Sequence, residues 1–172
     1  APLHFHDTTY LFYRDIEQDR DNKRLFAQAI NTDTPRVAGD PICLIGDEDL
    51  YDYSLTQSPN QKILLIKGLK TLENKEDSLY LSFHSVGENL QSLNRTLVKL
   101  PYPKSRITVR DFCVDNRGIP YLLLKVYDSD DGKLDVIKTK VEGSWRKKNT
   151  VNYHLEILTV NPYTGAFAIN KL

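Results

Sequence analysis

The residue types best suited to surface recognition lie together at Trp145, Arg146, Lys147 and Lys148. An aromatic ring beside three cations can stack on a sugar or a base, or dock on an acidic partner. Runs of charge are more often solvated faces, in which case Trp145 folds back onto the protein and the basic residues keep the segment soluble. These four residues are therefore the candidate binding site, with a solvated loop as the alternative interpretation.

Sequence signatures of enzymes are missing from the chain. No G-x-S-x-G, H-E-x-x-H or C-x-x-C pattern occurs, and neither do the phosphate-binding patterns G-x-G-x-x-G and G-x-x-x-x-G-K-[ST]. A hydrolase with two carboxylates needs both of them to face one cleft, and no spacing in this sequence predicts that arrangement. We therefore expect no catalytic residue and no cofactor.

Two groups of side chains have the chemistry of metal ligands. His4 and His6 are two residues apart and would share one face of a strand, but a metal site needs at least one further ligand. Acidic residues between Asp128 and Asp135 surround Gly132, which stands fifth in its loop where a calcium loop of the EF-hand type has glycine sixth. A solvated hairpin fits this second segment better, so the sequence predicts no metal site.

The composition limits the classes of partner. Among 172 residues, 23 basic and 23 acidic side chains cancel, which argues against a general nucleic-acid or acidic-membrane surface. No apolar run is long enough to span a bilayer. The chain starts at Ala1 and contains no Met, so we expect a processed chain or part of a longer protein.

A unit of about 55 residues repeats along the chain and predicts its architecture. Each unit reads as four strands, and the first two strands are separated by a polar turn, at residues 58–61 in one unit and 115–118 in the next. The two units run YDYSLTQSPN, KILLIKGL, SLYLSFHSV and NLQSLNRTLVKL, then ITVRDFCVDN, IPYLLLKVYD, NYHLEILTVN and AFAINKL. Consecutive four-strand units of this kind are typical of propeller blades.

The region before Asp52 contains most of a third unit. Residues 9–13, 24–31 and 41–45 supply its second, third and fourth strands, while its first strand is missing from the pattern. We therefore predict an all-β fold, a single β-propeller portion over residues 1–172, with about three antiparallel four-stranded blades. The blades cover approximately residues 1–50, without a first strand, 51–103 and 104–172. Because propellers close with about four to eight blades, the expected portion is incomplete.

The pattern of apolar residues predicts which strand faces are buried. Along Tyr153 to Val160, His154, Glu156, Leu158 and Val160 share one face of the strand. The strands 63–66 and 121–124 are apolar at consecutive positions, which predicts burial on both faces. Residues 129–151 form a long insertion between the second and third strands of the last blade, and an insertion of this length is either functional or mobile.

The two cysteines lie in different predicted blades. Cys43 falls in the last strand of the first blade and Cys113 in the first strand of the third. Packed sheets lie about 10 Å apart, whereas a disulfide needs Cα atoms within about 7 Å. We therefore expect two unpaired thiols that are mostly buried and behave as small apolar side chains.

Several segments resemble the blade pattern of β-propeller proteins of Bacteroidetes-type bacteria with WD40-like or YVTN-like blades. The matching segments are TLVKLPYP at 96–103, DFCVDNRG at 111–118, YLLLKVY at 121–127, KKNTVNYHLEIL at 147–158 and YTG at 163–165. In that pattern, a strand ending in LPYP leads to a D-x-x-V-D-N-x-G-x-x-Y hairpin, a KVY strand, a lysine-rich loop and an NYH strand. The resemblance implies a propeller fold and a periplasmic or outer-membrane-associated location. It carries over no catalytic or ligand-binding residue.

Fold and resemblance together favour a non-enzymatic binding or scaffold module of a cell-envelope assembly. Its expected partners are the remaining blades, from the same or another chain, and other envelope proteins, without nucleic acid and without a direct membrane span. The first alternative is a ligand-binding propeller, for glycans, with Trp145 in its binding loop. A hydrolytic propeller with acidic residues at its channel is the second alternative.

Overall fold

The protein is built from three antiparallel four-stranded sheets and one separate hairpin. The computed structural model describes residues 2–16, 23–34, 36–46, 50–70, 78–128, 136–141, 144–149 and 152–172. Sheet 1 contains β1 (Pro2–Phe5), β2 (Thr8–Ile16), β3 (Lys23–Asn31) and β4 (Arg36–Ile45). Sheet 2 contains β5 (Leu50–Gln57), β6 (Leu64–Lys70), β7 (Ser78–Val86) and β8 (Ser92–Pro103). The predicted all-β fold with four-stranded antiparallel sheets is confirmed.

Sheet 3 differs from the other two because an insertion interrupts it. Its strands are β9 (Ile107–Val114), β10 (Pro120–Tyr127), β13 (Tyr153–Val160) and β14 (Phe167–Lys171). The insertion contributes β11 (Val136–Val141) and β12 (Ser144–Asn149), which pair only with each other in the described part of the chain. A short 3₁₀ turn, Lys104–Arg106, leads from sheet 2 into sheet 3.

Sheet 1 has a first strand, and the prediction that this strand is missing is wrong. β1 pairs with β2 in a register that places Pro2 opposite Leu11 and Phe5 opposite Thr8. β1 has four residues, whereas β5 and β9 each have eight, so it is too short for a repeating apolar pattern. It nevertheless buries Phe5 completely between sheets 1 and 2.

The first turn of sheets 2 and 3 is held in the same way, which explains the sequence repeat. In sheet 2, the Ser58 hydroxyl accepts a hydrogen bond from the Ile63 amide at 3.0 Å. In sheet 3, the Asp115 carboxylate accepts one from the Ile119 amide at 2.9 Å. Short polar side chains stabilise turns through such bonds to nearby backbone amides. The Asp115 turn also contains Gly118 at φ 84°, a conformation that glycine adopts without steric cost.

The turn between the third and fourth strands is shared by sheets 1 and 3. The Asn31 side-chain oxygen accepts hydrogen bonds from the amides of Asp33 and Thr34. The Asn161 side-chain oxygen accepts equivalent bonds from the amides of Tyr163 and Thr164. These Asx turns fix the correspondence between the two sheets residue by residue.

Two apolar clusters show how the sheets pack. One cluster joins sheets 1 and 2 and includes Phe12, Leu25, Leu64 and Ile66. The other joins sheets 2 and 3 and includes Leu65 and Phe83 of sheet 2 together with Leu122, Leu124 and Leu158 of sheet 3. Sheet 2 therefore lies between its neighbours, and the expected two-sided burial of residues 63–66 is confirmed by the fully buried Leu64, Leu65 and Ile66.

The same expectation is wrong for residues 121–124 of β10. Leu122 and Leu124 are buried against sheet 2, but Tyr121 and Leu123 are only half-buried. Their face of sheet 3 points away from sheet 2, and no other sheet covers it in the described part of the chain. Sheet 3 therefore presents an apolar face that its sequence suits for burial.

Polar contacts fix the sheets relative to each other. Arg14 of sheet 1 donates to the backbone oxygen of Tyr53 at 3.1 Å, and its guanidinium lies over the Tyr53 ring. The backbone amide of Asn60 in sheet 2 donates to the side-chain oxygen of Asn116 in sheet 3 at 3.0 Å. The Thr96 hydroxyl of sheet 2 donates to the backbone oxygen of Pro162. The first strands β5 and β9 also contact each other.

Both cysteines are free, but the prediction that they are buried is wrong. Cys43 lies on the edge strand β4 and is paired with Phe26, and its thiol donates to the backbone oxygen of Ile45. Cys113 lies opposite Tyr121, on the uncovered face of sheet 3. Both side chains are exposed because each belongs to a strand face that no neighbouring sheet covers in the described residues.

Candidate functional site

The insertion carries the candidate binding residues that the sequence singled out. Trp145, Arg146, Lys147 and Lys148 lie on β12, where Trp145 pairs with Lys140 of β11. Their backbone therefore forms a hairpin strand instead of the irregular loop that the sequence suggested. The side chains of these four residues lie outside what the structure describes.

The two ends of the insertion are held together at the edge of sheet 3. The Asp128 amide, directly after β10, donates to the backbone oxygen of Asn152 at 2.8 Å, just before β13 begins. Asn152 is buried. The insertion is thus anchored at a defined position on the sheet, which favours a presented element over a simple lengthening of a turn.

A polar chain, defined as Asp128, His154, Glu156 and Tyr102, runs from this base into the junction between sheets 2 and 3. The Tyr102 hydroxyl of β8 lies 2.7 Å and 2.9 Å from the two carboxylate oxygens of Glu156 on β13. His154 Nε2 lies 2.9 Å from the same carboxylate, and His154 Nδ1 lies 3.4 Å from the Asp128 carboxylate. Glu156 is completely buried, at 0% exposure.

Burial and the neighbouring carboxylate keep Tyr102 protonated. Burial is the larger cause, and the hydrogen bond to Glu156 adds to it, so that the pKa of Tyr102 is raised to about 12. The positive charge of Arg106 opposes this rise. Tyr102 therefore remains a hydrogen-bond donor to Glu156 throughout the neutral range.

The buried carboxylate of Glu156 is better suited to holding sheets together than to reaching a substrate. A general acid or base must reach a proton of the substrate, directly or through one water. Glu156 has no exposed surface, and its carboxylate is engaged by Tyr102 and His154. A buried carboxylate is retained in a protein when partners satisfy it, as they do here across the junction. The polar chain of these four residues thus ties the base of the insertion to sheet 2.

The sequence pattern contained part of this site. His154 and Glu156 were predicted to share a strand face with Leu158 and Val160, and the structure places Glu156, Leu158 and Val160 all in the buried face. A charged residue in a core-facing position signals a buried partner. Tyr102 could not be named from the sequence, because it lies 54 residues away on another sheet.

A second polar and aromatic group lies close to the base of the insertion. Lys125 Nζ is 4.7 Å from the ring centre of Tyr127 and 3.8 Å from that of Tyr153. Tyr127 and Tyr153 are paired across β10 and β13, at the end of each strand that adjoins the insertion. The hydrogen bond to Lys125 lowers the pKa of Tyr127. These residues occupy the uncovered face of sheet 3.

The histidines near the start of the chain do not form a strand-borne pair. His6 adopts φ 52° in the turn between β1 and β2, so it leaves the strand alternation on which the prediction depended. It lies 3.4 Å from Glu88, and His4 contacts the Thr9 hydroxyl. Within the described residues, no group of three or more His, Cys, Asp or Glu side chains is arranged to hold a metal. The acidic residues 130–135 lie outside the described residues.

Comparison with protein-family models, with curated proteins and with solved structures finds no match for this chain. The described part of the chain also contains no helix with the length and apolarity needed to cross a bilayer. The sheet topology defines the class of the protein, which is an all-β protein of repeated four-stranded antiparallel sheets.

Proposed function

We propose that the chain is a non-enzymatic binding or scaffold module made of three consecutive β-propeller blades, and that its insertion contributes to a protein contact. One observation carries the proposal: β11 and β12 form a hairpin outside the repeated sheets, anchored at Asp128 and Asn152. Additions to a repeated fold are commonly where binding residues are placed.

The propeller arrangement is supported by how the sheets follow one another. Each sheet is one continuous meander of four strands, apart from the insertion in sheet 3, and sheet 2 is packed face to face between the other two. The first strands β5 and β9 lie against each other, as the innermost strands of adjacent blades do. Remaining blades come from the same or another chain in this proposal.

A binding role also agrees with the electrostatics. The balanced charge of the chain provides no strong steering field for one charged ligand. Contact energy is then expected from apolar and aromatic anchors such as Trp145. Placement in the cell envelope, among other envelope proteins, is supported by the sequence resemblance to Bacteroidetes-type propellers.

The test compares capture of envelope proteins by the tagged chain and by its Trp145→Ala variant. Loss of an aromatic anchor should weaken assembly by about 2 kcal/mol or more, which is roughly a thirtyfold rise in Kd. The matched control is Tyr163→Ala, which removes an aromatic side chain that is 78% exposed on a different turn. Equal capture by the Trp145→Ala variant and the unaltered chain would reject the role of the insertion.

Glycan binding is the alternative function, and the tyrosines beside the insertion favour it. Tyr127 and Tyr153 present two rings with Lys125 at the base of the insertion, a combination that suits stacking on a sugar. Trp145 is the single tryptophan of the chain, so its fluorescence reports on this region alone. Protection of that fluorescence from acrylamide quenching by added oligosaccharide would favour the glycan over the protein contact.

A further inference from the structure

The outer faces of sheets 1 and 3, which both point away from sheet 2, are largely apolar and are uncovered in the described part of the chain. The open face of sheet 3 points away from sheet 2 and is formed by half-buried Tyr121, Leu123, Leu155 and Ile157, with Lys125 opposite Leu155. The open face of sheet 1 points away from sheet 2 on the other side and is formed by half-buried Leu11, Tyr13, Phe26 and Ile30, with Gln28 opposite Leu11. Grooves mark the face of sheet 3, including one of about 230 Å³ lined by Cys113, Tyr121 and Ile157.

The strand registers show that the open face of sheet 3 is equivalent to a buried face of sheet 2. Tyr121 pairs with Thr159 as Leu65 pairs with Ser85, and Leu123 pairs with Ile157 as Lys67 pairs with Phe83. Leu65 and Phe83 are completely buried because sheet 3 covers them. The open face of sheet 3 therefore occupies the position from which a following sheet would be contacted.

The open face of sheet 1 is equivalent to the buried face that sheet 3 turns toward sheet 2. Asn31 and Asn161 begin the same Asx turn, so Ile30 corresponds to Val160. In the same register, Leu11 corresponds to Leu122. Val160 and Leu122 are buried against sheet 2, whereas Ile30 and Leu11 are half-buried. The open face of sheet 1 therefore occupies the position from which a preceding sheet would be contacted.

The two open faces also carry residues at the positions that form a polar contact in the internal junction. Thr96 of β8 donates to the backbone oxygen of Pro162 in the Asx turn of sheet 3. Asn170 of β14 holds the position of Thr96, because it pairs with Ile157 as Thr96 pairs with Phe83. Thr32 holds the position of Pro162 in the Asx turn of sheet 1. The Asn170 amide can therefore donate to the Thr32 backbone oxygen.

The charges at the first turns of the two sheets are complementary. Inside the chain, the first turns of sheets 2 and 3 meet through the Asn60 amide and Asn116. At the two open faces, the corresponding turns carry Arg117 on sheet 3, which is 84% exposed and 4.0 Å from Asp115, and Asp7 on sheet 1, which is 92% exposed and 3.2 Å from His6. Opposite charges at the edge of a contact favour the correct register.

We propose that a second copy of this chain covers both open faces at once, with sheet 3 of each copy packed on sheet 1 of the other, so that six sheets close into a ring. This inference rests on the propeller arrangement of the proposed function. A two-fold rotation makes the two junctions identical, and closed symmetry of this kind prevents further growth. Six sheets fall within the range of about four to eight in which propellers close. One association thereby covers the apolar residues of both faces.

The mass in solution tests this proposal directly. Size-exclusion chromatography with light scattering on the 172-residue chain is expected to give a species of about 40 kDa, twice the chain mass of 19.8 kDa. Leu11→Glu on sheet 1 and Ile157→Glu on sheet 3 should each raise the dissociation constant of the dimer by at least about tenfold, because each buries a charge in the junction. Leu97→Glu is the matched control, since Leu97 is 48% exposed on β8 and belongs to neither open face.

Mixing the two face variants distinguishes a ring from other dimers. A dimer of one Leu11→Glu copy and one Ile157→Glu copy has one junction with both defects and one junction with none. A second charge in a junction that one charge has already broken costs little more, so the dimer with one unaltered junction is favoured and the mixture should form more dimer than either variant alone. A second pair, Arg117→Asp and Asp7→Arg, avoids the cores of the sheets; each should weaken the dimer and the double variant should restore it.

The proposal would be overturned if the unaltered chain remained a species of about 20 kDa at concentrations up to about 100 μM. A dimer that is insensitive to both face variants would overturn it as well, since the contact would then lie elsewhere. Either result leaves the binding role of the insertion intact, because Trp145→Ala is expected to change partner capture and not the mass of the dimer. If instead the insertion has no binding role, Trp145→Ala leaves partner capture unchanged while the unaltered chain still forms the dimer.

Discussion

Replacing Tyr102 with Phe removes one hydroxyl from the junction between sheets 2 and 3 and should destabilise the fold measurably. The hydroxyl lies 2.7 Å and 2.9 Å from the carboxylate oxygens of Glu156, which has 0% exposure. A hydrogen bond to a charged group contributes about 1.5–3 kcal/mol, and no solvent reaches Glu156 to replace it. We therefore expect a loss of about 2 kcal/mol in the free energy of unfolding.

Urea denaturation at pH 7 measures this loss, and thermal unfolding provides a second readout. For a chain of this size, about 2 kcal/mol corresponds to a decrease of roughly 4–8 °C in Tm. Glu156→Gln and the double variant complete a thermodynamic cycle, in which the coupling between the two side chains should exceed about 0.5 kcal/mol. The cycle separates the hydrogen bond from effects of each substitution on packing.

Tyr121→Phe provides the matched control for this experiment. Its hydroxyl lies 3.5 Å from the Asp115 carboxylate, a separation at which a hydrogen bond contributes little. We expect a change within about 0.5 kcal/mol for the control. Equal effects of Tyr102→Phe and Tyr121→Phe, or a coupling near zero in the cycle, would refute the assignment of Glu156 as a junction partner.

Two further predictions concern pH and a turn. Because the pKa of Tyr102 is raised from 10.0 to about 12, the folded state holds its proton more tightly than the unfolded state; the resulting stability is complete below pH 10 and is lost as the pH rises toward 12. Tm measured from pH 9 to 12 should therefore fall less steeply for Tyr102→Phe than for the unaltered chain, and parallel curves would contradict this. Gly118→Ala should cost about 1 kcal/mol, because φ 84° strains any residue with a Cβ atom. Gly46→Ala, where a Cβ atom meets nothing within 4 Å, should stay within about 0.5 kcal/mol when both are compared by urea denaturation.

The strands of sheets 2 and 3 could be predicted from the sequence because their apolar pattern repeats with the same turn chemistry. Ser58 and Asp115 hold equivalent turns, and both stand in short polar segments between apolar runs. β1 escaped prediction because four residues are too few for a period to be recognised. The expectation that both faces of β10 are buried was wrong because the sequence shows how apolar a strand is, and not which neighbouring sheet covers it.

The candidate site was predictable only in part. The basic and aromatic residues of β12 stood out by composition, and the position of Glu156 on an apolar face followed from strand alternation. The contact of Glu156 with Tyr102 depends on how two sheets pack, and packing across sheets leaves no local pattern in a sequence. The same reason explains why the exposure of Cys43 and Cys113 was not anticipated.

The meander topology has a consequence for folding. Each sheet is formed by neighbouring strands of one continuous segment, so its backbone pairing is completed within that segment. During synthesis, the segment of sheet 1 emerges before that of sheet 2, and the apolar face that packs on sheet 2 finds its partner only when sheet 2 has followed. Leu65 and Phe83 of sheet 2 then stay uncovered until β10 and β13 arrive, which makes this face prone to aggregation in an incomplete chain.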